Sequence, residues 1–167
     1  MPSPANPTNE KSRLALLHEL RILDTPDEEL SNAVVAAAAA MANTPIAAIT
    51  LIDAHRQWFK GVVGMDVRET ERAVSFCGHA ILSPNEPLIV ADARLDPRFA
   101  DNELVTGDAG IRFYAGFPLL VAGHAIGALC VVDDMPHGLT PDQIDRLQSL
   151  AAGTAAWIEI SARGKRK

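Results

Sequence analysis

The hydrophobic pattern of the chain changes at Pro45, and this change limits the possible folds more than any other feature. Before Pro45, apolar residues recur at spacings of three and four, which is typical of helices. After it, short apolar runs come in pairs, as in Ile46 to Ile52 and Gln57 to Val63, which indicates a β-hairpin. Strands joined as hairpins, without regular alternation of strand and helix, predict an antiparallel sheet.

Long helices are predicted before and after this sheet. The first covers Glu10 to Asp24 and ends at Thr25-Pro26, because proline disfavours a helical residue before it. The same dipeptide and Glu28 predict a capping box that opens a second helix. Thr140 and Gln143 carry the same chemistry and predict the start of the last helix.

The middle of the chain alternates short strands with short helical segments. A second hairpin is predicted from Ile111 to Leu120 and Ala125 to Val132, with a turn at Gly123-His124. Leu88 to Ala91 is predicted as a further strand, and Ser75 to Leu82 as a short helix with Ser75 near its N-terminal cap. The predicted fold class is therefore α+β, with about five antiparallel strands flanked by N-terminal and C-terminal helices.

A length of 167 residues predicts a single domain. Residues 1–9 contain three prolines and are expected to form a flexible N-terminal segment. Residues 10–162 are expected to form the domain. Four of the five residues at 163–167 are Lys or Arg, so this segment is expected to be a basic C-terminal tail.

The charge and composition exclude several function classes. The net charge of −6 disfavours binding to a phosphate backbone, so no nucleic acid is expected as a partner. No apolar run approaches the roughly 18 residues of a membrane span, so no membrane partner is expected either. Two cysteines and the lack of a secretory leader pattern predict a cytoplasmic, reducing location.

Several motifs follow one another along the chain. They are Arg21-Ile22-Leu23-Asp24-Thr25-Pro26, Ile49-Thr50-Leu51-Ile52-Asp53, Arg56-Gln57-Trp58-Phe59-Lys60, Ser75-Phe76-Cys77-Gly78-His79-Ala80-Ile81, Asp96-Pro97-Arg98-Phe99-Ala100, Arg112-Phe113-Tyr114-Ala115-Gly116 and Gly127-Ala128-Leu129-Cys130-Val131-Val132-Asp133. Over about residues 10 to 160, the chain resembles bacterial GAF domains of the type found ahead of histidine kinase and diguanylate cyclase modules. The resemblance implies a PAS-like GAF fold with five to six strands and a pocket between the sheet and its middle segment.

The resemblance also implies a role. We expect a stand-alone sensory or regulatory module of signal transduction that binds a small molecule or a signalling protein and is not an enzyme. Seven residues follow Ile160, so we expect the output to pass through a partner or through self-association. The terminal helices of GAF domains often dimerise, which implies a homodimer. The sequence leaves the ligand and any cofactor unknown.

Cys77-Gly78-His79 is the tripeptide with the most evident chemistry. Cys77 near a helix start would be reactive, whereas a free cysteine is more often a small buried hydrophobic residue, and we favour the second interpretation. Phytochrome GAF domains attach a bilin to a cysteine followed directly by histidine, and here Gly78 intervenes. The five histidines are scattered along the chain, so no metal site is expected.

An alternative function is a thiol-dependent reductase that resembles free methionine sulfoxide reductases and uses Cys77. An internal disulfide would need Cys130 as the partner, with Cα atoms within about 7 Å. The apolar neighbours Leu129 and Val131 predict that Cys130 is inert core, so this cycle is not expected. A third interpretation is a module whose pocket is filled by side chains such as Phe76, Phe113 or Phe117.

Charged and aromatic residues complete the candidate site. Arg98 or Arg112 would bind an anionic ligand, with Tyr114 on the same strand face as Arg112, or would instead pair with surface carboxylates. Trp58 and Phe59 are consecutive in a strand, so one faces the core and the other a pocket. The candidate ligand-binding residues are Trp58, Cys77, His79, Asp92, Arg98, Arg112 and Tyr114. No catalytic residue is assigned.

Overall fold

The computed structural model describes residues 3–165, which form six strands and five α-helices. The helices are α1 (Glu10–Glu19), α2 (Glu29–Ala42), α3 (Phe76–Ala80), α4 (Glu103–Thr106) and α5 (Pro141–Lys165). The strands are β1 (Ile46–Ile52), β2 (Arg56–Val63), β3 (Glu69–Glu71), β4 (Leu88–Val90), β5 (Phe113–Val121) and β6 (His124–Asp133). They form one antiparallel sheet in the order β3-β2-β1-β6-β5-β4, which confirms the predicted α+β class.

The two faces of the sheet bury different layers. The helix face packs against α1, α2 and α5 through residues such as Ile49, Leu51 and Phe117. The opposite face, here called the cavity face, is covered by α3, α4 and the loops around them. Alternate residues of a strand point to opposite faces, so β1 places Ile49 on one face and Ala48 on the other.

Both predicted hairpins are present. In the second, the turn consists of Ala122 and Gly123, with φ values of 49° and 80°. Two successive positive φ values are those of a type I′ turn, whose twist matches the flanking strands. The turn therefore lies one residue earlier than the Gly123-His124 prediction, and His124 pairs with Val121.

The last helix begins as predicted. Gln143 donates its backbone N–H to the Thr140 hydroxyl, at 3.1 Å, and accepts the Thr140 backbone N–H at 2.8 Å. This is the reciprocal pattern of a capping box.

The predicted start of the second helix is wrong. Helix α2 begins at Glu29, and Glu28 and Thr25 make no capping bond within the described residues. Residues 20–28, here called the helix connector, are not helical, and Arg21 and Asp24 have positive φ values. Helix α1 consequently ends at Glu19 rather than at Asp24.

A buried lysine explains the conformation of the helix connector. The pairing of β1 with β2 shifts between Ile49 and Thr50, which lie opposite Gly61 and Phe59, so Lys60 is the extra residue of a β-bulge. Its ammonium group is fully buried and donates to Thr25 Oγ1 at 2.9 Å, to the Pro26 carbonyl at 2.8 Å and to Glu28 Oε1 at 2.9 Å. A buried cation requires such acceptors, and the helix connector provides them.

Two further ion networks hold the N-terminal helical region on the sheet. Arg56 donates two hydrogen bonds of 2.8 Å to the Asp24 carboxylate, in the bidentate geometry that strengthens such pairs. Glu10 accepts from Arg13 and Arg72, both of which are buried, and Arg13 also donates to the Ile52 carbonyl at 2.7 Å. The motif residues of this region therefore serve to attach the helix connector and α1 to β1 and β2.

Some sequence predictions concern the chain ends and the edge of the sheet. Strand β3, with the sequence Glu-Thr-Glu, was not predicted because it lacks apolar residues. Helix α5 extends to Lys165 and so includes the first part of the segment predicted as a tail, while residues 166–167 lie outside the described residues. The flexibility of residues 1–9 stays a prediction. In the described part of the chain, no helix combines the length and apolarity needed to cross a membrane.

Replacing Lys60 with Met tests the buried attachment. Lys60→Met is expected to lower the free energy of unfolding by about 2 to 3 kcal/mol, because hydrogen bonds from a charged group are lost and two backbone or hydroxyl acceptors are left unpaired. Urea denaturation of the full chain measures this. The control is Arg68→Met, which removes an exposed ion pair to Asp27 on the same connector and should change that free energy by less than about 0.5 kcal/mol. Equal losses in both variants would contradict the assignment.

Candidate functional site

A cavity of about 60 Å³ lies between the cavity face of the sheet, which forms its floor, and the segments around α3 and α4 and between β2 and β3, here called the cover. The sheet contributes small and apolar side chains, and the cover contributes Met65, Phe76 and Leu104. The described lining residues are Ile46, Ala48, Thr50, Gln57, Phe59, Met65, Thr70, Phe76, Cys77, Leu104, Ile111, Tyr114, Cys130 and Val132. None of these is charged, so the site favours an uncharged or weakly polar occupant.

The cavity exists because its floor is built from small side chains. Ala48 and Thr50 project from β1, and Cys130 projects from the adjacent β6, where it pairs with Ala48. Residues at alternate positions share a face, so this spacing follows from strand geometry. Gly116 of β5 also pairs with Cys130, and the absence of its side chain leaves room for the Tyr114 ring.

The cover is held together by aromatic stacking and by one buried amide. The rings of Phe76 and Phe99 stack with centroids 4.1 Å apart. Asn102 is buried, donates to the Val74 carbonyl at 3.0 Å and accepts the Leu104 backbone N–H at 2.8 Å. It therefore joins the segment before α3 to the start of α4.

The sequence analysis did not single out Asn102. An asparagine directly before the acidic residue Glu103 is a typical helix N-cap, and this pattern was the available signal. The contact with Val74, 28 positions earlier, is a tertiary one that no local pattern encodes. The predicted cap of α3 is confirmed, since Ser75 Oγ accepts the Gly78 backbone N–H at 3.1 Å.

A cluster of weakly polar groups lies on the floor of the cavity. Cys77 Sγ is 3.0 Å from the Tyr114 hydroxyl oxygen, and both residues are buried. Cys130 and Thr50 line the same cavity. A Cβ atom at Gly116 would lie 2.1 Å from the Tyr114 hydroxyl oxygen, so glycine at this position allows the tyrosine to reach Cys77.

Burial and mutual contact shift the ionisation of this cluster. Burial raises the pKa of the Tyr114 phenol, with a further contribution from Cys77. The hydrogen bond to Cys77, together with burial, raises the pKa of the Cys130 thiol. For Cys77, burial opposes ionisation, but hydrogen bonds from Cys130, Thr50 and Tyr114 outweigh it and lower the pKa. Cys77 is therefore the thiol of the pair that loses its proton first.

Gln57 provides a buried polar atom at the side of the cavity. Its Nε2 donates to Thr70 Oγ1 at 3.2 Å, while its Oε1 has no hydrogen-bond partner among the described residues. The residue is 6% exposed. A buried acceptor without a partner costs about 1 to 3 kcal/mol, which a hydrogen-bond donor from an occupant would offset.

The structure brings together two of the seven candidate ligand-binding residues. Cys77 and Tyr114 both line the cavity. Trp58 lies in the core of the helix face, and its neighbour Phe59 lines the cavity instead. The opposite orientation of these two residues was predicted, but which faced the pocket was not.

The four polar candidates lie outside the described lining. Asp92 accepts from the Arg94 backbone and side chain, and Arg98 forms an ion pair with Asp96 and lies 5.2 Å from the Phe99 ring centroid. The hydrogen bond from Arg98 lowers the pKa of the Asp96 carboxyl. Remaining contacts involve His79, whose ring meets the Phe99 ring edge-on, and Arg112, which donates to the carbonyls of Val105 and Ile111.

The two arginines are therefore occupied by contacts within the chain. The predicted pairing of Arg112 and Tyr114 toward one ligand is not seen, because the Arg112 guanidinium is held by the α4 region. Of the aromatic residues proposed to fill the pocket, Phe76 lines it, whereas Phe113 and Phe117 lie on the helix face. A volume of about 60 Å³ is small beside the roughly 300 to 1,000 Å³ of typical ligand pockets.

Comparison with known proteins identifies relatives of this chain. A family model described as GAF domain matches residues 27–156. A Pseudomonas aeruginosa protein named as a cyclic di-GMP phosphodiesterase is 46% identical over 139 residues. The match covers 83% of this chain and 24% of that protein, so the chain spans about a quarter of the length of this curated relative.

Solved structures share the fold at low sequence identity. The GAF domain of a phosphoenolpyruvate-protein phosphotransferase from Coxiella burnetii superposes with a TM-score of 0.69 and 18% identity, covering 95% of this chain and 98% of that one. A type II free methionine-R-sulfoxide reductase from Thermoplasma acidophilum gives 0.64 and 15%, covering 86% and 94%. At these identities the similarity establishes the fold alone.

The expectation that the protein is not an enzyme is corrected by these comparisons. A relative that is 46% identical carries the name of a phosphodiesterase, so the chain has an enzyme among its relatives. The prediction failed because it rested on the general character of sensory domains and on the lack of acid-base partners near Cys77. Neither observation bears on whether such a domain occurs together with an enzyme domain.

Proposed function

This chain belongs to the GAF domain family, and we propose that its cavity is the ligand-sensing site of a bacterial signalling protein. The observation that carries the proposal is the cavity with its buried, unpartnered Gln57 Oε1. The proposed ligand is small and largely apolar and has one hydrogen-bond donor for Gln57. Thr70, Cys77 and Tyr114 are the further proposed contacts.

The size and lining of the cavity support this ligand class. An uncharged lining offers no counterion to a phosphate, and an unpaired buried charge is costly. A larger ligand would have to displace Met65 or Leu104, which belong to the cover rather than to the sheet. We therefore propose that ligand size determines how far the cover moves.

The proposed output is a change in the packing of α1, α2 and α5 on the helix face of the sheet. These three helices are here called the helix layer. Strand β1 carries cavity residues on one face and Ile49 and Leu51 on the other, so movement of its backbone acts on both layers. The Lys60 bulge lies beside this strand and holds the helix connector. A ligand shifts this equilibrium only if it binds one packing arrangement better than the other.

The helix layer is also the proposed dimer interface. Helix α5 exposes a narrow row of small residues, Ala152, Gly153 and Ala156, followed by Ile160, which is 65% exposed. Small residues permit two helices to approach closely, and an exposed isoleucine gains from burial in a partner. We propose a homodimer through α5 and α1.

We also propose a reducing, cytoplasmic location, which the free thiols of Cys77 and Cys130 support.

Native mass spectrometry of the freshly purified full chain tests the ligand proposal. The wild type is expected to retain a small molecule that is released on denaturation. Gln57→Leu should lower its occupancy by up to about tenfold, since one hydrogen bond is lost. The control Gln148→Leu changes an exposed glutamine on α5 and should leave occupancy unchanged. A wild-type chain with no retained molecule, or equal occupancy in Gln57→Leu, would contradict the proposal.

We further propose that the regulated output is hydrolysis of a cyclic dinucleotide. The 46% identity to a protein named as a cyclic di-GMP phosphodiesterase supports this class of enzyme. The proposal holds whether the enzyme and this module share one polypeptide or assemble from two.

A chimaera tests this regulation. The matched segment of the P. aeruginosa enzyme is replaced by the corresponding part of this chain, and hydrolysis of cyclic di-GMP is measured. Ala48→Leu fills the cavity and is expected to change the rate several-fold, whereas Ala109→Leu, at an exposed position, is not. This chain alone is assayed in parallel. Identical rates for both variants would refute regulation through the cavity.

A further inference from the structure

The two cysteines of the chain line the same cavity from opposite sides. Cys77 belongs to the cover, in α3, and Cys130 belongs to the sheet, in β6. Both are buried free thiols and both line the cavity. They are linked through Tyr114, whose hydroxyl oxygen is 3.0 Å from Cys77 Sγ and lies over Gly116, the β5 partner of Cys130. The apolar neighbours of Cys130 predict a core residue, and the structure confirms that it is buried. Its position in the same cavity as Cys77 is the feature that they do not predict.

Cys130 lies in a part of the cavity floor that is built from small residues. Cys130 lies opposite Ala48 on one side and Gly116 on the other, so it is flanked by the two smallest side chains. Gly116 leaves space for the Tyr114 hydroxyl, which is 3.0 Å from Cys77 Sγ.

We propose that Cys77 and Cys130 form an oxidation site, at which a peroxide converts the two thiols into an intramolecular disulfide that regulates the cavity. The disulfide would form in the cavity that we propose as the ligand site. Its effect on ligand binding rests on the proposed function. The chemistry itself depends on the thiol pair alone.

The reaction proceeds in two balanced steps. Cys77 gives up its thiol proton and the thiolate attacks one oxygen of the peroxide. The O–O bond breaks, Cys77 becomes a sulfenic acid, and the leaving oxygen takes up that proton and departs as water, or as an alcohol from an organic peroxide. The Cys130 sulfur then attacks the Cys77 sulfur, the S–O bond breaks, and water leaves as the S–S bond forms. Two thiols are oxidised, and one peroxide is reduced.

The surroundings favour Cys77 as the attacking group. The hydrogen bonds that lower its pKa come from Cys130, Thr50 and Tyr114, and they act against the cost of burial. Cys130 keeps its proton longer, because its pKa is raised. The pair thus contains one thiol suited to react with the oxidant and a neighbour suited to resolve the product.

The disulfide would fix the cover to the sheet. Helix α3 carries Phe76 and Cys77, both of which line the cavity, and β6 is central to the sheet. In the oxidised form α3 cannot move away from β6, so a ligand that requires opening of the cover is excluded. Reduction restores the opening, and the cavity thereby responds to the redox state.

Peptide mapping of the wild-type full chain tests the proposal. The reduced protein is treated with hydrogen peroxide, excess peroxide is removed, the chain is denatured in the presence of an alkylating agent that blocks the remaining thiols, and it is digested without reductant. The expected product is a peptide pair joined through Cys77 and Cys130, lighter than the separate peptides by two hydrogen atoms and separated again by dithiothreitol. Tyr114→Phe should form it several-fold more slowly, about threefold to tenfold, because Cys77 loses one hydrogen bond.

Three results would overturn the proposal. These are full alkylation of both cysteines after peroxide treatment once the chain is denatured, a Cys77 sulfinic acid without a linked peptide, and a disulfide that joins two chains. Because the mapping uses wild-type protein, it does not depend on the folding of cysteine variants. A linked peptide in a chain that retains no small molecule would support the disulfide and contradict the proposed ligand site. A retained small molecule without a linked peptide would support the ligand site and contradict the disulfide.

Discussion

The burial of the Lys60 ammonium is the constraint on which the arrangement of layers depends. A cation inside the protein is tolerated only when acceptors surround it, and here the acceptors come from a segment more than thirty positions earlier in the chain. The helix connector must therefore leave helical geometry and lie against β2. This sets the segment that leads into α2 against the sheet. The bidentate pair of Arg56 and Asp24 strengthens the same attachment, since Asp24 directly precedes Thr25 in the connector.

The sheet separates a rigid layer from an adjustable one. Its helix face is packed with branched apolar residues against three helices, whereas the cavity face is covered by short helices and loops that enclose unfilled space. The paired strands β1 and β6 carry residues of both faces and so connect the two layers. We propose that an event in the cavity, whether binding or oxidation, acts first on the cover and on the floor strands. In this proposal, the attachment of the helix connector carries the effect to α1 and α2, and α2 packs against α5.

Local patterns predicted the elements well and their tertiary contacts poorly. The hairpins, the capping box of α5 and the Ser75 cap depend on neighbouring residues, and the sequence predicted each of them. Thr25 and Glu28 form an equally good capping pattern, but Lys60 uses both as acceptors, and no local rule detects that competition. The site shows the same division. Cys77 and Tyr114 were singled out, while Gln57, Asn102 and the nearness of Cys130 depend on contacts between distant segments.

The central claim is that the state of the cavity reaches the helix layer through the sheet. Hydrogen exchange of the full chain, compared between wild type and the cavity-filling variant Ala48→Leu, measures this most directly. We expect altered exchange both in the cover, at residues 64–80 and 99–111, and in the helix connector and α5, with Ala109→Leu matching wild type. A change confined to the cover would contradict it.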